Sequence, residues 1–240
     1  MLDDSVAAEC GACNPWTGLG SAPPYIAAVD EPYITAWNSI VGTESPFFLD
    51  LSMPPEPFLG RWDAPLVVLS ANPGRVPGDS EAYRHLGAAE RLTEIGTDGG
   101  TRFRWLADDV ASTPGGQWWR RCLGGLRDDG YSFDELADCV MAVEFHGYHS
   151  ARWSPPPVTL PSQWFGFRLV GQAMDRGAVI VVTRAARQWL VAVPGLAAYR
   201  GLVRTKSAQT ASLGTGNLGQ QEYTRVTETI ERHRAGVHAV

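Results

Sequence analysis

The strongest constraint on the fold is the stretch from Leu66 to Gly74, which reads Leu-Val-Val-Leu-Ser-Ala-Asn-Pro-Gly. Its first four residues are an apolar run, typical of a strand buried on both faces in a parallel sheet covered by helices. Asn72, Pro73 and Gly74 cannot continue a central strand, so the chain must turn there. Ligands of open α/β sheets bind outside the carboxyl ends of the strands. The stretch therefore predicts an α/β fold with Asn72 at a ligand site, although an ordinary strand-to-loop turn fits the same residues.

Other apolar patterns extend this prediction to the rest of the chain. Further buried strands are predicted at residues 139–143, 179–182 and 201–205. Apolar residues recur at helical spacing in 25–40, 103–110, 163–176, 185–191 and 220–234, while 208–219 reads as a loop. This alternation predicts a three-layer α/β/α domain with a mainly parallel four-stranded sheet. We place that domain at residues 64–240 and interpret residues 1–63 as an acidic, Pro- and aromatic-rich leader and arm.

The net charge of −6 is distributed unevenly along the chain. Residues 1–63 hold nine acidic residues and one Arg, whereas residues 140–240 hold five acidic and eleven basic residues. Lys206 is the only lysine, so the positive charge is almost entirely Arg, which suits bidentate phosphate contacts. A general compositional bias explains the Arg excess equally well.

The sequence also predicts the cellular location of the chain and the absence of a membrane span, a metal site and a cofactor. No stretch approaches the roughly 20 apolar residues of a membrane span, and the acidic start at Met1 does not read as a signal peptide. We therefore expect a cytoplasmic chain with no membrane partner. Cys10 and Cys13 are spaced Cys-x-x-Cys, but a zinc or iron–sulfur site needs further ligands. We expect free thiols, no metal, no cofactor and a monomer.

Two more polar clusters follow predicted strands. Glu144 to Ser150 comes directly after the second strand, and Ser212 to Gly219 follows the fourth. Because parallel strands end at the same edge of a sheet, we expect both clusters to meet Asn72 in one crevice.

In this order of elements, residues 64–234 resemble the uracil-DNA glycosylase superfamily. The turn Asn72-Pro73-Gly74 is similar to the Gly-Ile-Asn-Pro-Gly motif of the mismatch-specific uracil/thymine branch, in which the Asn positions the water that attacks the sugar C1′. Met-Ala-Val-Glu, which ends at Glu144, resembles a run ending on the base-reading Asn. The loop 212–217 resembles the loop that grips the DNA backbone and inserts a wedge.

The resemblance implies an enzyme that flips a base out of single- or double-stranded DNA and hydrolyses its N-glycosidic bond with Asn-positioned water. The predicted catalytic residues are Asn72, Glu144 and His146. The residues predicted to bind substrate or DNA are Pro73, Gly74, Arg75, Phe145, Tyr148, His149, Ser212, Gly214, Gly216 and Asn217. Among these residues, Phe145 and Tyr148 are expected either to stack on the base or to fill the core. The glycines cradle phosphates or else form a plain turn.

Two departures from the family pattern affect the expected chemistry. The loop 212–217 contains no His to stabilise the leaving base, so His146 or His149 is the candidate for that role. Glu144 stands where the family has the base-reading Asn. An ionised carboxylate only accepts hydrogen bonds, which suits a base that carries an amino group better than uracil.

Three other interpretations remain open from the sequence. Glu144, His146 and His149 form the pattern Glu-x-His-x-x-His, which could hold a metal in a metal-dependent hydrolase. A protein of this fold could bind nucleic acid or a nucleotide without cleaving it. An N-glycosidase of free nucleosides would need the same crevice but no basic surface.

Overall fold

The computed structural model describes residues 13–79, 83 and 88–237. In this part of the chain, contacts group the residues into two compact units that alternate along the sequence. The first unit comprises the described residues of 1–58, 71–100 and 144–168, and the second comprises those of 59–70, 101–143 and 169–240. The predicted division of the chain at residue 63 stays a prediction. Cys10 lies outside the described residues.

Five strands form one mixed sheet, and the predicted α/β class is confirmed. Their order across the sheet is β1-β3-β2-β4-β5. The strands are β1 (Phe58–Leu59), β2 (Leu66–Leu69), β3 (Val140–Val143), β4 (Val179–Val182) and β5 (Leu202–Arg204). Pairing is parallel between β2 and β3, between β2 and β4, and between β4 and β5.

The three longest strands are aliphatic throughout because both faces of the sheet are covered. Every residue of β2, β3 and β4 is buried. The predicted number of four strands is wrong, since β1 adds a fifth. β1 has only two residues and lies in a Pro-rich segment, so it carries no periodic pattern that sequence analysis can detect. After it, Gly60 has a φ of +92°, and a Cβ there would lie 2.3 Å from the Val140 carbonyl oxygen.

Nine α-helices occur in the described part of the chain. They are α1 (Glu31–Val41), α2 (Ala88–Gly96), α3 (Pro114–Cys122), α4 (Gly124–Asp128), α5 (Phe133–Cys139), α6 (Gln163–Asp175), α7 (Ala186–Ala192), α8 (Thr215–Leu218) and α9 (Gln220–Val237). The predictions over 25–40, 163–176, 185–191 and 220–234 correspond to α1, α6, α7 and α9. In the second unit, α9 packs on β2 and β4 through Tyr223, Val226 and Ile230.

Two local predictions are wrong. Residues 103–110 form two short 3₁₀ turns, Arg104–Leu106 and Asp108–Val110, because Ala107 between them has an extended backbone with ψ of 151°. The predicted loop 208–219 contains helix α8, which begins after Gly214. A four-residue helix is too short for its apolar spacing to be recognised.

A buried ion pair stabilises the first unit. Arg91 is 1 % exposed, and its Nη2 lies 2.8 Å from Oε1 of Glu56. Its Nη1 pairs with Glu94, and the hydroxyl of Tyr83 donates to Glu56 Oε1 at 2.5 Å. Burial, and next the charge of Glu56, raise the pKa of Tyr83 well above its ordinary value. The phenol is therefore a neutral donor that supports the Glu56 carboxylate.

No helix in the described part of the chain combines the length and the apolar character needed to cross a bilayer.

Candidate functional site

Residues 144–150 directly follow β3 and form the central segment of the first unit. On one side this segment pairs with the turn 71–74, which directly follows β2. The amide of His146 donates to the Ala71 carbonyl at 3.3 Å, and the amide of Ser150 donates to the Pro73 carbonyl at 3.4 Å. Gly74 and Ser150 form a parallel bridge. The first two polar clusters predicted from the sequence therefore lie side by side.

On its other side the central segment pairs with residues 50–57. The amide of Glu56 donates to the Gly147 carbonyl at 2.8 Å, and the amide of Glu144 donates to the Pro57 carbonyl at 3.0 Å. Asp50 forms an antiparallel bridge with His149. A Cβ on Gly147 would lie 2.9 Å from the Pro57 nitrogen, so this close approach requires glycine. Pairing on both sides gives the segment little freedom to move.

The side chain of Asn72 is fixed by its amide nitrogen. Nδ2 donates to Ser150 Oγ at 2.8 Å, to the Pro73 carbonyl at 3.0 Å and to the Tyr148 carbonyl at 3.3 Å. Its Oδ1 makes no hydrogen bond to any residue that the structure describes. The side chain is half-buried. Asn72 thus presents an oriented acceptor oxygen on a rigid turn, which is what positioning a water molecule requires.

Glu144 begins the central segment and is 8 % exposed. Its main chain is fixed to Pro57, and it lies two residues before His146, whose amide bonds to the Asn72 turn. The structure therefore brings Asn72, Glu144 and His146 onto adjacent, hydrogen-bonded segments of one unit.

His146 is the most unusual polar side chain at this site. It is 2 % exposed, and neither ring nitrogen has a hydrogen-bond partner among the described residues. Burial lowers the pKa of His146 to about 3, the charge of His149 acts in the same direction, and the main chain of Tyr148 opposes both. The ring is therefore neutral at pH 7. It can donate one hydrogen bond, but it cannot act as a cation. A buried polar group left unpaired costs about 1–3 kcal/mol.

Phenylalanine at position 146 is expected to stabilise the chain, and more so in acid. Because the pKa of His146 is about 3 when folded against an ordinary 6.5, only the unfolded chain binds its proton between those values. The free energy of unfolding of the wild type therefore falls as the pH drops below 6.5. Urea unfolding should show the advantage of His146→Phe growing by roughly 2 kcal/mol between pH 7 and pH 5. An advantage that is constant with pH would contradict this assignment.

His149 has a structural role. Its Nδ1 lies 2.9 Å from the Gly74 carbonyl and its Nε2 lies 3.0 Å from the Pro54 carbonyl. The edge of its ring packs against Tyr83. With both nitrogens facing main-chain oxygens, the ring ties the two neighbours of the central segment together. The predicted contact of His149 with substrate or DNA stays a prediction.

The same contacts argue against the metal-site interpretation. Within residues 13–79, 83 and 88–237, no three His, Cys, Asp or Glu side chains are grouped so that they could hold a metal ion. Glu144, His146 and His149 follow one another in sequence, but the nitrogens of His149 are occupied. The residues therefore do not fit a metal-dependent hydrolase.

We compared the chain with models of protein families, with curated proteins and with solved structures. None matched at a significant level. Function must therefore be argued from the residues themselves.

Both aromatic residues predicted to stack on a base are in contact with other side chains of the first unit. Phe145 packs against Phe167 and Trp153, with ring centroids 5.4 and 5.8 Å away. Tyr148 is buried, and its hydroxyl donates to Asp30 at 2.8 Å and accepts from the Ala27 amide at 3.2 Å. Both rings fill the core of the first unit, which is the alternative that the sequence left open, and base stacking by these two residues stays a prediction.

Two residues at the site were missed by the sequence analysis. Asp30 is fully buried and also accepts from the Ser162 amide at 2.9 Å. Burial raises the pKa of Asp30, against the opposing effect of its hydrogen bonds to Ser162 and Tyr148. Trp153 stacks on His146 with a centroid distance of 5.2 Å and an interplanar angle of 25°. Asp30 is 118 positions away from Tyr148, and Trp153 lies in a Pro-rich loop, so neither belongs to a recognisable motif.

The three residues after Asn72 differ in their exposure and charge. Pro73 is buried, while Gly74 is exposed and a Cβ there would meet no atom within 4 Å. Arg75 is 51 % exposed, and its Nε lies 2.6 Å from Oδ2 of Asp50. Burial tends to raise the pKa of Asp50, but hydrogen bonds from Ser52 and the charge of Arg75 hold it below its ordinary value. Arg75 thus keeps a charged, accessible guanidinium beside the turn.

The third predicted cluster lies in the second unit and is rigid. Asn217 is buried; its Oδ1 accepts from the Ser207 amide at 2.8 Å and its Nδ2 donates to the Ser212 carbonyl at 3.0 Å. These bonds shape the loop, and the predicted contact of the Asn217 side chain with DNA stays a prediction. A Cβ on Gly125 would lie 2.8 Å from Cα of Gly214.

Gly216 is exposed and Ser212 is half-buried, which leaves both accessible. A Cβ on Gly216 would meet no atom within 4 Å, so no close packing requires glycine at this position. The predicted meeting of this cluster with Asn72 and Glu144 in one crevice stays a prediction.

Proposed function

We propose that this chain is a DNA N-glycosylase with a fold like that of the uracil-DNA glycosylases, which releases an amino-bearing base rather than uracil. The observation that carries the proposal is the state of Asn72. Three acceptors hold its amide nitrogen while Oδ1 has no partner in the described part of the chain. The order of strands and polar turns supports the same conclusion.

In the proposed reaction Oδ1 of Asn72 accepts a hydrogen bond from water and directs a lone pair of that water toward the sugar C1′. The bond from the water oxygen to C1′ forms while the bond from C1′ to the base nitrogen breaks. The electron pair of the broken bond leaves with the base, which takes up the proton that the water loses. The catalytic contribution of Asn72 is orientation, because an amide cannot remove the proton itself.

Glu144 is proposed to select the base. Its carboxylate accepts hydrogen bonds and donates none when ionised, so it pairs with an exocyclic amino group and opposes the O4 of uracil. Neutral His146, two residues after Glu144 in the chain, is proposed to contact the same base. Arg75 supplies an exposed charge for a phosphate. The eleven basic residues of 140–240 favour binding to a polyanion.

The test is a panel of oligonucleotides that each carry one normal, deaminated or modified base, assayed for abasic sites. We expect wild type to release an amino-bearing base faster than uracil. Glu144→Gln adds a donor and should lower that preference by about tenfold to a hundredfold. Glu228→Gln, on the exposed side of α9, is the matched control and should leave the preference unchanged. If binding occurs but no base is released, the chain is a binding protein instead.

A further inference from the structure

The buried imidazole of His146 is not explained by its surroundings. Most buried polar groups in folded proteins have a partner, and exceptions need a reason such as a ligand. Here both ring nitrogens lack one among the described residues, and the ring is neutral, with one donor and one acceptor. Hydrogen bonding to the protein is therefore not the reason why a histidine stands at this position.

The aromatic neighbour of His146 extends beyond it. Rings in contact are separated by about 3.5–4 Å, so the centroid distance of 5.2 Å between the Trp153 and His146 rings leaves the indole centre displaced sideways by roughly 3–4 Å. The two planes are nearly parallel, at 25°. Part of the indole face thus extends past the imidazole.

Trp153 belongs to the loop 151–159, which directly follows the central segment. The loop contains no helix or strand, and residues 151, 152 and 157–159 are exposed. Trp153 is half-buried, whereas the central segment beside it is paired on both sides. Both ring nitrogens of His146 are buried, so a base can reach them only if a neighbouring segment moves, and this irregular loop is the candidate.

We infer that Trp153 and His146 form the binding site for the extruded base, with the indole stacked on the base and the imidazole N–H donating to a ring nitrogen beside the amino group. The inference rests on the proposed function and narrows its substrate to bases with an unprotonated ring nitrogen next to an amino group, as in cytosine or adenine. Glu144 accepts from the amino group, so the two side chains together read one edge.

The test measures binding without cleavage. Oligonucleotides carry one 2′-fluoroarabino nucleotide, which resists glycosidic hydrolysis, with cytosine, adenine or uracil as the base, or a tetrahydrofuran abasic analogue. The ratio of the Kd for the abasic oligonucleotide to the Kd for the base-bearing one cancels backbone contacts. We expect a ratio above ten for cytosine or adenine. Trp153→Ala should lower it toward one, by about fivefold or more, and Trp153→Phe should retain most of it.

Two controls test whether a change in binding arises at Trp153 and His146 or from a general loss of affinity. Trp118→Ala removes another half-buried indole, in edge contact with Trp119, and should leave the ratio unchanged. Replacing adenine by 1-deazaadenine, or cytosine by 3-deazacytosine, removes the ring nitrogen. This exchange should weaken wild-type binding by about tenfold and should not affect His146→Phe, which keeps the ring shape.

The outcomes distinguish this inference from the proposed reaction. A ratio near one for every base, or a ratio that Trp153→Ala leaves within twofold of wild type, would overturn the inference even if a base is released. Base-selective binding that depends on Trp153 and on the ring nitrogen, without release of any base, would support the site and overturn the proposed hydrolysis.

Discussion

Asn72→Ala is expected to lower the rate of base release by about 10²- to 10⁴-fold while the chain stays folded. The side chain is half-buried, and losing the hydrogen bonds from its nitrogen should lower stability by about 1–3 kcal/mol. Its oxygen makes no bond within the described residues, so losing the oxygen acts on the reaction alone. The measurement is single-turnover formation of abasic sites, with the unfolding midpoint recorded for the same preparation. An unchanged rate would remove the basis of the proposed mechanism.

Two companion variants refine this result. Ser150→Ala leaves Asn72 in place but removes the acceptor 2.8 Å from its nitrogen, so we expect an intermediate loss of rate. Asn38→Ala is the matched control. Asn38 bonds the main chain of Leu49 through both its nitrogen and its oxygen, each at 2.9 Å. Its loss should lower stability by about 1–3 kcal/mol and leave the rate per folded molecule unchanged.

Arg91→Met is expected to destabilise the chain by about 3–5 kcal/mol. The variant leaves the Glu56 carboxylate buried without the guanidinium that lies 2.8 Å away. Urea unfolding measures the loss. Because the amide of Glu56 also bonds Gly147 of the central segment, the same variant should loosen the site.

Two comparisons isolate the burial of this pair. Arg102→Met breaks an ion pair with Asp134 and Asp138 in which Arg102 is 46 % exposed, so its cost should stay below about 1 kcal/mol. Adding Glu56→Met to Arg91→Met should recover part of the lost stability, since the buried Glu56 carboxylate is then removed together with its partner, while Glu94 still loses Arg91. If Arg91→Met and Arg102→Met lower the free energy of unfolding equally, burial of the Arg91–Glu56 pair does not determine the loss of stability.

What the sequence predicted well depends on local pattern. Strands such as Leu66–Leu69 are aliphatic at every position, so four consecutive residues of the sequence are enough to predict their burial. The pairing of Asn72 with the segment after β3 followed from the rule that neighbouring parallel strands end together. The alternation of such strands with helices was sufficient for the fold class.

What the sequence could not predict depends on distant partners. Tyr148 reads as a base-stacking ring until Asp30, far away in the chain, is found to hold its hydroxyl. His149 reads as a ligand until two carbonyls are found at its nitrogens. The position of Trp153 over His146 is set by the path of an irregular loop, which no periodicity encodes.

For the proposed enzyme, the contrast between the central segment, which is paired on both sides, and the irregular loop 151–159 has an evolutionary consequence. In the proposed enzyme, the oxygen that orients water belongs to Asn72, whose nitrogen is held by two carbonyls and by Ser150. The face proposed to contact the base comes from one side chain on a segment without regular structure. Substitutions, insertions or shortening in that loop can therefore alter which heterocycle is accepted while the hydrolytic geometry is inherited unchanged. A lineage of such proteins would diversify in selectivity first and in chemistry last.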